Sequence, residues 1–370
     1  MSYQIEIRNL SYRPDAVAVE QPDILRGISL NIEKGSFVAL VGANGSGKTT
    51  LIKHINGLLL PNNGNVFVDG LDTKDPQSSK KLRSLVGMVF QDPAHQIVAS
   101  TVEEDIAFGL ENLNIPTRTI QSTVKEQLVA AELTEEATRP PHLLSGGQIQ
   151  KVALAGVLAR QPSIILFDEP TSMLDPVSRM QFMATVLDLK NRGLTVVLVT
   201  HHMEEAVNAD RVIVMSEGRV ILDGSPSEIF IEKDKLYEIG LESPESQKYV
   251  EGFCRLGWRI PGNLLQAETL FQYLPGYDGK HPITPAAALP EEREKIISFR
   301  DVYYTYLADT PLAKQALKGV NLSLDSECIH GMAGGNGSGK STLLQHINGI
   351  LRPSKGRIQV GRFHLEDQST

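Results

Sequence analysis

Continuous apolar runs, rather than alternating ones, mark the strands of this 370-residue chain. The clearest runs cover residues 36–41, 164–167 and 195–200. Such runs are typical of parallel strands that are buried on both faces of a sheet. Residues 101–158, in contrast, have mainly the spacing of helices. The pattern therefore predicts an α/β fold in which helices pack on a parallel sheet.

The chain also contains an internal repeat. The segment 44–48, Asn-Gly-Ser-Gly-Lys, returns at 336–340, which is 292 positions later. The segment 54–57, His-Ile-Asn-Gly, returns at 346–349, and residues 8–12 match residues 300–304. The register thus holds without an insertion over the start of both copies, which predicts two homologous domains fused in one chain.

A glycine-rich loop follows the first apolar run of copy one. Residues 42–49, Gly-Ala-Asn-Gly-Ser-Gly-Lys-Thr, match the phosphate-binding P-loop, and a strand before it and a helix after it are the expected context. The loop directs backbone N–H groups and the positive end of the helix at phosphate oxygens. Lys48 is predicted to contact the β- and γ-phosphates, and Thr49 to bind Mg²⁺. The predicted nucleotide ligands are Gly42, Asn44, Gly45, Ser46, Gly47, Lys48, Thr49 and Thr50 in copy one, and Gly337, Gly339, Lys340, Ser341 and Thr342 in copy two.

Two carboxylates, Asp168 and Glu169, follow the apolar run 164–167. This position is the edge at which parallel α/β sheets bind ligands. Asp168 is predicted to hold Mg²⁺ through water, and Glu169 to polarise the attacking water as a general base. The P-loop and the acidic pair alone also fit a kinase, a helicase or a GTPase, so the class depends on the residues between them.

Residues 144–148, Leu-Ser-Gly-Gly-Gln, resemble the signature motif of ATP-binding cassette (ABC) ATPases. The motif lies about 20 residues before Asp168, as it does in that family. The resemblance implies that Ser145, Gly146, Gly147 and Gln148 face the γ-phosphate bound by the P-loop of a partner domain. It also implies ATP and Mg²⁺ as cofactors and a second ABC ATPase domain as a partner.

The same resemblance assigns further residues of copy one. Gln91 corresponds to the Q-loop glutamine, which touches Mg²⁺ or the lytic water, and Asp175 to the D-loop aspartate that couples two sites. His201 corresponds to the switch histidine that contacts the γ-phosphate, with His202 as the alternative. Tyr12 is the candidate for adenine stacking, although a plain strand residue explains it equally well, because the repeat pairs Tyr12 with Tyr304 and pairs Pro14 with Tyr306.

Residues 89–96 and 101–109 resemble energy-coupling factor (ECF) ATPases, including those of cobalt uptake, and residues 240–274 resemble the small C-terminal domain of that family. The resemblance implies an importer of a vitamin or metal ion, with a transmembrane coupling subunit and a substrate-binding membrane subunit as partners. It places the contact with the membrane subunit at residues 93–106, where a capping box at Thr101 also fits an ordinary helix start. The alternative function is a soluble ABC ATPase without transport.

These observations predict a P-loop NTPase core of the ABC type with an antiparallel β subdomain, a helical subdomain, a small C-terminal domain and a partial second copy. The predicted domains are ABC ATPase domain 1 (1–230), the ECF-type extension (231–280), a linker (281–295) and a partial ABC ATPase domain 2 (296–370). The second copy has a P-loop and a preceding strand at residues 328–333, but no signature or acidic pair before Thr370. We therefore expect a fusion of two ATPases in which the second is truncated.

Composition limits the classes of partner that the protein can bind and its location in the cell. The net charge of −8 argues against nucleic-acid binding, which needs a basic surface. No apolar run approaches the ~20 residues that span a bilayer, and the first residues lack an export signal. Two cysteines provide neither a disulfide framework nor a zinc site. The sequence thus predicts a peripheral protein at the cytoplasmic face of the cell membrane.

Overall fold

A computed structural model describes residues 3–14, 23–255, 257–261, 264–265, 267–273, 294–310, 313–335 and 337–365. The chain divides into two compact units, Met1–Pro275 and Gly276–Thr370. The linker predicted at residues 281–295 lies almost entirely outside the described residues, which begin again at Glu294.

Ten strands and eleven helices build the described part of the first unit. The strands are β1 (Tyr3–Tyr12), β2 (Leu25–Glu33), β3 (Phe37–Gly42), β4 (Asn63–Val68), β5 (Leu71–Asp72), β6 (Val86–Val89), β7 (Ile164–Asp168), β8 (Thr195–Val199), β9 (Arg211–Ser216) and β10 (Arg219–Gly224). The helices are α1 (Lys48–Ile55), α2 (Ser79–Leu85), α3 (Val102–Asn112), α4 (Thr117–Ala130), α5 (Gly146–Ala159), α6 (Pro176–Asn191), α7 (Met203–Ala206), α8 (Pro226–Ile229), α9 (Lys233–Glu238), α10 (Glu245–Arg255) and α11 (Ala267–Leu270).

The central sheet has the strand order β10-β9-β3-β8-β7-β6. Its five strands from β9 to β6 are parallel, and β10 pairs antiparallel with β9 at one edge. Every residue of β3, β6, β7 and β8 is buried, which explains why their sequences are continuous apolar runs. A separate antiparallel sheet has the order β2-β1-β4-β5.

The first unit has three main apolar cores. One face of the central sheet packs with the antiparallel sheet and α1, through residues such as Ile5, Val38 and Leu51. The other face packs against α5 and α6, where the rings of Phe167 and Phe182 meet edge to face at 5.2 Å. Helices α3, α4 and α5 share a core of their own and form the helical subdomain. The predicted α/β fold with antiparallel and helical subdomains is therefore confirmed.

The predicted C-terminal extension packs in two ways. Leu236 and Leu241 join the core beneath the central sheet, whereas Val250 and Ile260 belong to a small cluster around α10. Residues 231–275 of the predicted extension therefore lie in the same compact unit as the central sheet, whereas residues 276–280 fall in the second unit. The domain boundaries predicted at residues 230 and 280 remain predictions.

The second unit contains β11 (Lys295–Tyr306), β12 (Lys314–Asp325), α12 (Lys340–Ile347), β13 (Lys355–Val360) and β14 (Phe363–Leu365). Its antiparallel sheet has the order β12-β11-β13-β14, which repeats the order β2-β1-β4-β5 of the first unit. The prediction of a strand at residues 328–333 is wrong. These residues form no strand, and Ile329 is fully exposed. A strand needs hydrogen-bonded neighbours, and the described residues of this unit contain no counterparts of β8 and β9.

Candidate functional site

The P-loop of the first unit connects β3 to α1. Gly45 and Gly47 have φ angles of 81° and 100°, which favour glycine, and α1 begins at Lys48 without a side-chain cap. The Lys48 ammonium donates hydrogen bonds to the carbonyl oxygens of Gly42 at 2.8 Å and Ala43 at 3.0 Å. Burial lowers the pKa of Lys48, and the nearby carboxylates of Glu169 and Asp168 oppose that change. A phosphate in this loop would give the buried ammonium a charged partner in place of two neutral carbonyls.

Two observations indicate that this site suits a magnesium nucleotide. The Ser46 hydroxyl is buried and has no hydrogen-bond partner in the described structure, so an acceptor bound in the loop would complete it. The Thr49 hydroxyl donates a hydrogen bond of 2.8 Å to Asp168 Oδ1, which brings together two of the oxygen ligands that Mg²⁺ prefers. Burial raises the pKa of Asp168, and the bond from Thr49 lowers it. A nearby cation would favour the ionised carboxylate.

The described residues contain no group of three or more His, Cys, Asp or Glu side chains that could hold a metal. Mg²⁺ in nucleotide sites is commonly bound by few protein ligands, and phosphate oxygens and water supply the rest. The pair Thr49 and Asp168 fits that type of site.

Glu169, Gln91 and His201 converge on one point. Gln91 Nε2 donates to Glu169 Oε2 at 3.3 Å, and His201 Nδ1 lies 3.4 Å from the same oxygen. The three residues follow β7, β6 and β8, and parallel strands bring their carboxyl ends to one edge of the sheet. Glu169 and His201 also line a cavity of about 510 Å³ together with Gly42 of the P-loop. The structure thus groups the predicted catalytic residues beside the phosphate loop.

The backbone of Glu169 is strained. Its φ angle is 45°, in the left-handed region that non-glycine residues avoid, at a cost of roughly 1–3 kcal/mol. Its N–H donates to the carbonyl oxygen of Val199 at 3.0 Å, which links the end of β7 to the end of β8. Such strain persists only when surrounding contacts hold it, and it is common at active sites.

The two adjacent histidines face different partners. His201 lies against Glu169, whereas His202 Nδ1 lies 3.4 Å from Arg179 Nη1 on α6. Burial lowers the pKa of His202, with further lowering from the neighbouring His201 and Arg179. The geometry therefore favours His201 over His202 as the switch histidine.

The signature residues lie in a different cavity from the P-loop residues. Ser145 caps α5 in a capping box, in which its hydroxyl accepts from the Gln148 N–H and Gln148 Oε1 accepts from the Ser145 N–H. Gly146 and Gly147 have open space where a side chain would be. Ser145 lines a cavity of about 250 Å³ with Gly147 and Gln148. The first unit does not bring its own signature into contact with its own phosphate loop, and the predicted role across a domain pair stays a prediction.

Asp175 caps the helix α6. Its Oδ1 accepts hydrogen bonds from the N–H groups of Val177 at 3.1 Å and Ser178 at 3.0 Å. This cap explains the residue structurally. Its predicted D-loop role between two sites stays a prediction.

Tyr12 packs against the P-loop helix. Its ring meets the buried His54 edge-on at 4.7 Å, and the repeat partners Tyr304 and His346 meet in the same way at 4.9 Å. Tyr306, in contrast, places its hydroxyl 3.1 Å from Thr342 Oγ1. The contact with His54 gives Tyr12 a packing role, and its predicted adenine contact stays a prediction.

The described residues of the second P-loop repeat the backbone conformation of their counterparts in the first. Gly337 and Gly339 have φ angles of 76° and 94°, and Lys340 donates to the carbonyl oxygens of Gly334 at 2.6 Å and Gly335 at 2.7 Å. The predicted ligands Ser341 and Thr342 lie in the first turn of α12. The second loop differs from the first in its surroundings rather than in its internal bonds.

Two buried polar residues beside Glu169 were missed by the sequence analysis. Gln150 of α5 and Glu205 of α7 have exposed fractions of 4% and 2%. Burial raises the pKa of Glu205, while hydrogen bonds from Thr171 and Thr200 lower it. The sequence signal was only a polar residue among apolar neighbours in each case, because the partners that lie beside Glu169, Pro170 and Thr171, are 20 and 34 residues away in the chain.

Comparison with known proteins agrees with this geometry. The sequence profile of the ABC transporter family matches residues 25–172 and 317–370. The energy-coupling factor transporter ATP-binding protein EcfA1 of Caldanaerobacter subterraneus subsp. tengcongensis is 46% identical over 275 residues, which are 74% of this chain and 99% of that protein. The EcfA1 of Clostridioides difficile is 47% identical over 273 residues, or 73% of this chain and 98% of that protein.

Solved structures give the same result. The structure of cbiO1 from Clostridium perfringens, described as part of the ABC transporter complex cbiONQ, has a TM-score of 0.57 and 34% identity, and covers 65% of this chain and 95% of that one. A dimeric post-hydrolysis state of the ATP-binding cassette MJ0796, bound to ADP and Pi, has a TM-score of 0.56 and 31% identity, over 60% and 98% of the two chains.

The chain belongs to the ABC transporter family, as an ATP-binding and ATP-hydrolysing cassette. Within that family it is an ATPase of the energy-coupling factor type, the subunit that energises an importer. Transport is thereby favoured over the soluble alternative. The described residues contain no helix long and apolar enough to span a membrane.

Proposed function

We propose that the first unit hydrolyses magnesium ATP to drive uptake of a vitamin or metal ion through a separate membrane subunit. The observation that carries this proposal is the convergence of Gln91 and His201 on Glu169, beside a P-loop whose Thr49 is bonded to Asp168. Lys48 and the loop amides bind the β- and γ-phosphates, and Thr49, Asp168 and Gln91 hold the metal. A Mg²⁺ ion held by these residues would supply positive charge to the transferring phosphoryl group.

In this proposal each catalytic side chain has one task. Glu169 Oε2 accepts a hydrogen bond from the attacking water and polarises it as a general base. Gln91 and His201, which lie within 3.4 Å of that oxygen, orient the carboxylate and contact the γ-phosphate. Ser145 and the following glycine amides complete the γ-phosphate site of a second ABC ATPase domain, because they open onto solvent away from their own P-loop.

The membrane partners are a transmembrane coupling subunit and a substrate-binding membrane subunit, and the chain acts as a peripheral protein at the cytoplasmic membrane face. A cavity of about 830 Å³ supports a docking groove near the predicted contact at residues 93–106. Gln96, Val98 and Asp105 of that segment line the cavity, together with Phe108 and Arg160. Val98 and Phe108 are 63% and 47% exposed, so a partner helix has apolar surface to cover.

We further propose that residues 296–370 are part of a second ABC ATPase domain that binds ATP through Lys340. Two observations support this proposal. The ABC transporter profile has a second match at residues 317–370, and the strand order of the second unit repeats that of the first.

The substitution Glu169→Gln tests the hydrolytic proposal. We expect turnover to fall at least about 100-fold while ATP affinity stays within about twofold, because the general base is lost and the phosphate loop is kept. Phosphate release and equilibrium ATP binding measure the two effects. The exposed Glu126→Gln on α4 is the matched control and should retain full turnover. Normal turnover by Glu169→Gln would reject the role of this carboxylate.

Co-purification tests the transport proposal. The full chain, expressed in its source cell, should retain a membrane subunit after detergent extraction, and Val98→Asp with Phe108→Asp should release it. The control is Val129→Asp, which alters an equally exposed apolar residue on α4. Retention of the membrane subunit by the double variant would contradict the proposed groove.

A further inference from the structure

Two buried side chains hold the backbone on the C-terminal side of Glu169. Gln150 Nε2 donates a hydrogen bond of 2.6 Å to the carbonyl oxygen of Pro170. The Thr171 hydroxyl donates to Glu205 Oε1, also at 2.6 Å. Gln150, Thr171 and Glu205 are each at most 4% exposed, so water does not compete for these bonds. The two residues that follow the strained Glu169 are therefore fixed from two sides.

The same carboxylate holds the loop that carries His201. The Thr200 hydroxyl donates to Glu205 Oε2 at 2.6 Å, and Thr200 Oγ1 accepts from the N–H of His202 at 3.0 Å. Each oxygen of Glu205 thus binds one loop of the site, one after Glu169 and one before His201. Arg179 Nε on α6 lies 3.8 Å from Glu205 Oε1 and supplies a positive charge beside it.

Gln150 connects the hydrogen bonds beside Glu169 to the signature motif. It lies five residues after Ser145, within the helix that Ser145 caps. A helix is rigid over such a distance, so a displacement of its first turn is transmitted to the Pro170 carbonyl. The link joins the segment predicted to contact a partner domain with the residue next to the general base.

We propose that Gln150 and Glu205 are positioning residues for ATP hydrolysis, which hold Glu169 and His201 in their reactive geometry, and that Gln150 couples this geometry to the signature helix. This inference rests on the proposed role of Glu169 as the general base. Neither residue touches the nucleotide. Each acts through the peptide units beside Glu169 and His201, by keeping a backbone conformation that relaxes without them.

The test compares Gln150→Leu and Glu205→Leu, which keep volume and remove the hydrogen bonds, with Glu205→Gln. We expect both leucine variants to lower kcat at least about tenfold with KM for ATP within about threefold, because displacement of a catalytic group slows chemistry more than binding. Glu205→Gln should recover part of the loss, since its amide can still pair with both threonine hydroxyls. Gln121→Leu and Glu126→Gln on the exposed face of α4 are controls with unchanged kcat.

Three outcomes separate this inference from the proposed function. If Glu169→Gln abolishes turnover and the leucine variants keep it, the inference alone is wrong. If Glu169→Gln keeps turnover, the general-base role of Glu169 is wrong, and the inference that rests on it is wrong too. If kcat falls only in proportion to the loss of folded protein in a urea titration, the role of Gln150 and Glu205 is merely structural.

Hydrogen exchange gives a readout that does not depend on turnover. In the nucleotide-free full chain, we expect the amides of Glu169, Thr171 and Ser172 to exchange at least about tenfold faster in Gln150→Leu and Glu205→Leu than in the wild type, because the buried bonds no longer oppose local opening. Amides of β1 and β2 should be unchanged. Wild-type exchange rates at these three amides in both variants would overturn the proposal.

Discussion

The two P-loops of this chain share their internal hydrogen bonds but not their surroundings. Lys48 and Lys340 contact equivalent pairs of carbonyl oxygens. Lys48 is 5% exposed and lies beside Asp168 and Glu169, whereas the described residues of the second unit provide no such carboxylates next to Lys340. The comparison teaches that the motif determines the loop conformation, and that the sheet around it determines the chemistry.

The strand before each loop shows the same difference. β3 has six buried residues and lies between β8 and β9, which provide hydrogen bonds on both sides. Residues 328–333 form no strand, and Met332 is 38% exposed. An apolar run thus becomes a strand only where neighbouring strands satisfy its backbone.

The largest expected difference between the loops comes from adding one methyl group. Gly42 and Gly334 share a φ angle of 156°, so the strain of replacing glycine is common to both. A Cβ at Gly42 would lie 2.3 Å from the Met215 carbonyl oxygen, which is backbone, whereas the nearest atom to a Cβ at Gly334 would be the Ser338 hydroxyl oxygen, at 2.9 Å. We expect Gly42→Ala to destabilise the first unit by about 3 kcal/mol, and Gly334→Ala to cost the second unit about 1 kcal/mol or less.

Urea unfolding measures the first of these effects. The single tryptophan of the chain, Trp258, reports on the first unit, and hydrogen exchange of β12 reports on the second. Equal destabilisation of the two units would show that the surroundings of the loops do not determine the cost of the added methyl group.

The next effect concerns the lysines. Lys48→Ala should weaken ATP binding to the first unit by about 2 kcal/mol, or roughly 30-fold, because a charge-assisted hydrogen bond to phosphate is lost. Lys340→Ala should leave hydrolysis by the first unit within about twofold. Calorimetric titration with ATP and a phosphate-release assay measure the two quantities. Equal losses of turnover in the two variants would show that both loops contribute equally to hydrolysis.

A smaller effect depends on pH. Burial lowers the pKa of His54 below the ordinary value of about 6.5, so the unfolded chain binds a proton more readily than the folded one. Stability is therefore fully present above pH 6.5 and falls as the pH drops from there toward the folded pKa, by at most about 1.4 kcal/mol per pH unit for one proton. His54→Phe should flatten this decrease between pH 7 and pH 5 in urea titrations. An unchanged pH dependence would mean that other groups cause it.

The smallest effect concerns Tyr12. Tyr12→Leu should cost about 1 kcal/mol of stability, because the edge-to-face contact with His54 is lost, and should leave ATP affinity within about twofold. Tyr304→Leu is the matched control for the equivalent contact in the second unit. A tenfold loss of ATP affinity in Tyr12→Leu would instead support adenine stacking.

Much of this architecture was predictable from sequence, because the decisive signals are local. Apolar runs gave β3, β7 and β8 to within one residue at each end, and the glycines of residues 42–47 gave the loop. The chain order of the strands also explains why Gln91, Glu169 and His201 meet at one edge of the sheet. These features depend on periodicity, on turn conformation and on the geometry of parallel sheets.

The unpredicted features depend on contacts between distant segments. Nothing in residues 328–333 alone shows that neighbouring strands are absent from the described part of that unit. Glu169 has a left-handed backbone, and the two residues after it are bonded to Gln150 and Glu205, which lie 19 and 36 residues from Glu169 in the chain. Pairing over such separations has no signature in a single sequence.

The position of β6 in the central sheet has a dynamic consequence. Among the described strands, β6 pairs only with β7, over four residues, and it leads directly to Gln91. A short edge strand opens at lower free energy than an interior strand, because fewer backbone hydrogen bonds break. Glu169, in contrast, follows β7, an interior strand. The general base therefore follows an interior strand, whereas Gln91 follows an edge strand that opens more easily. Gln91 can move away from Glu169 while Glu169 keeps its position.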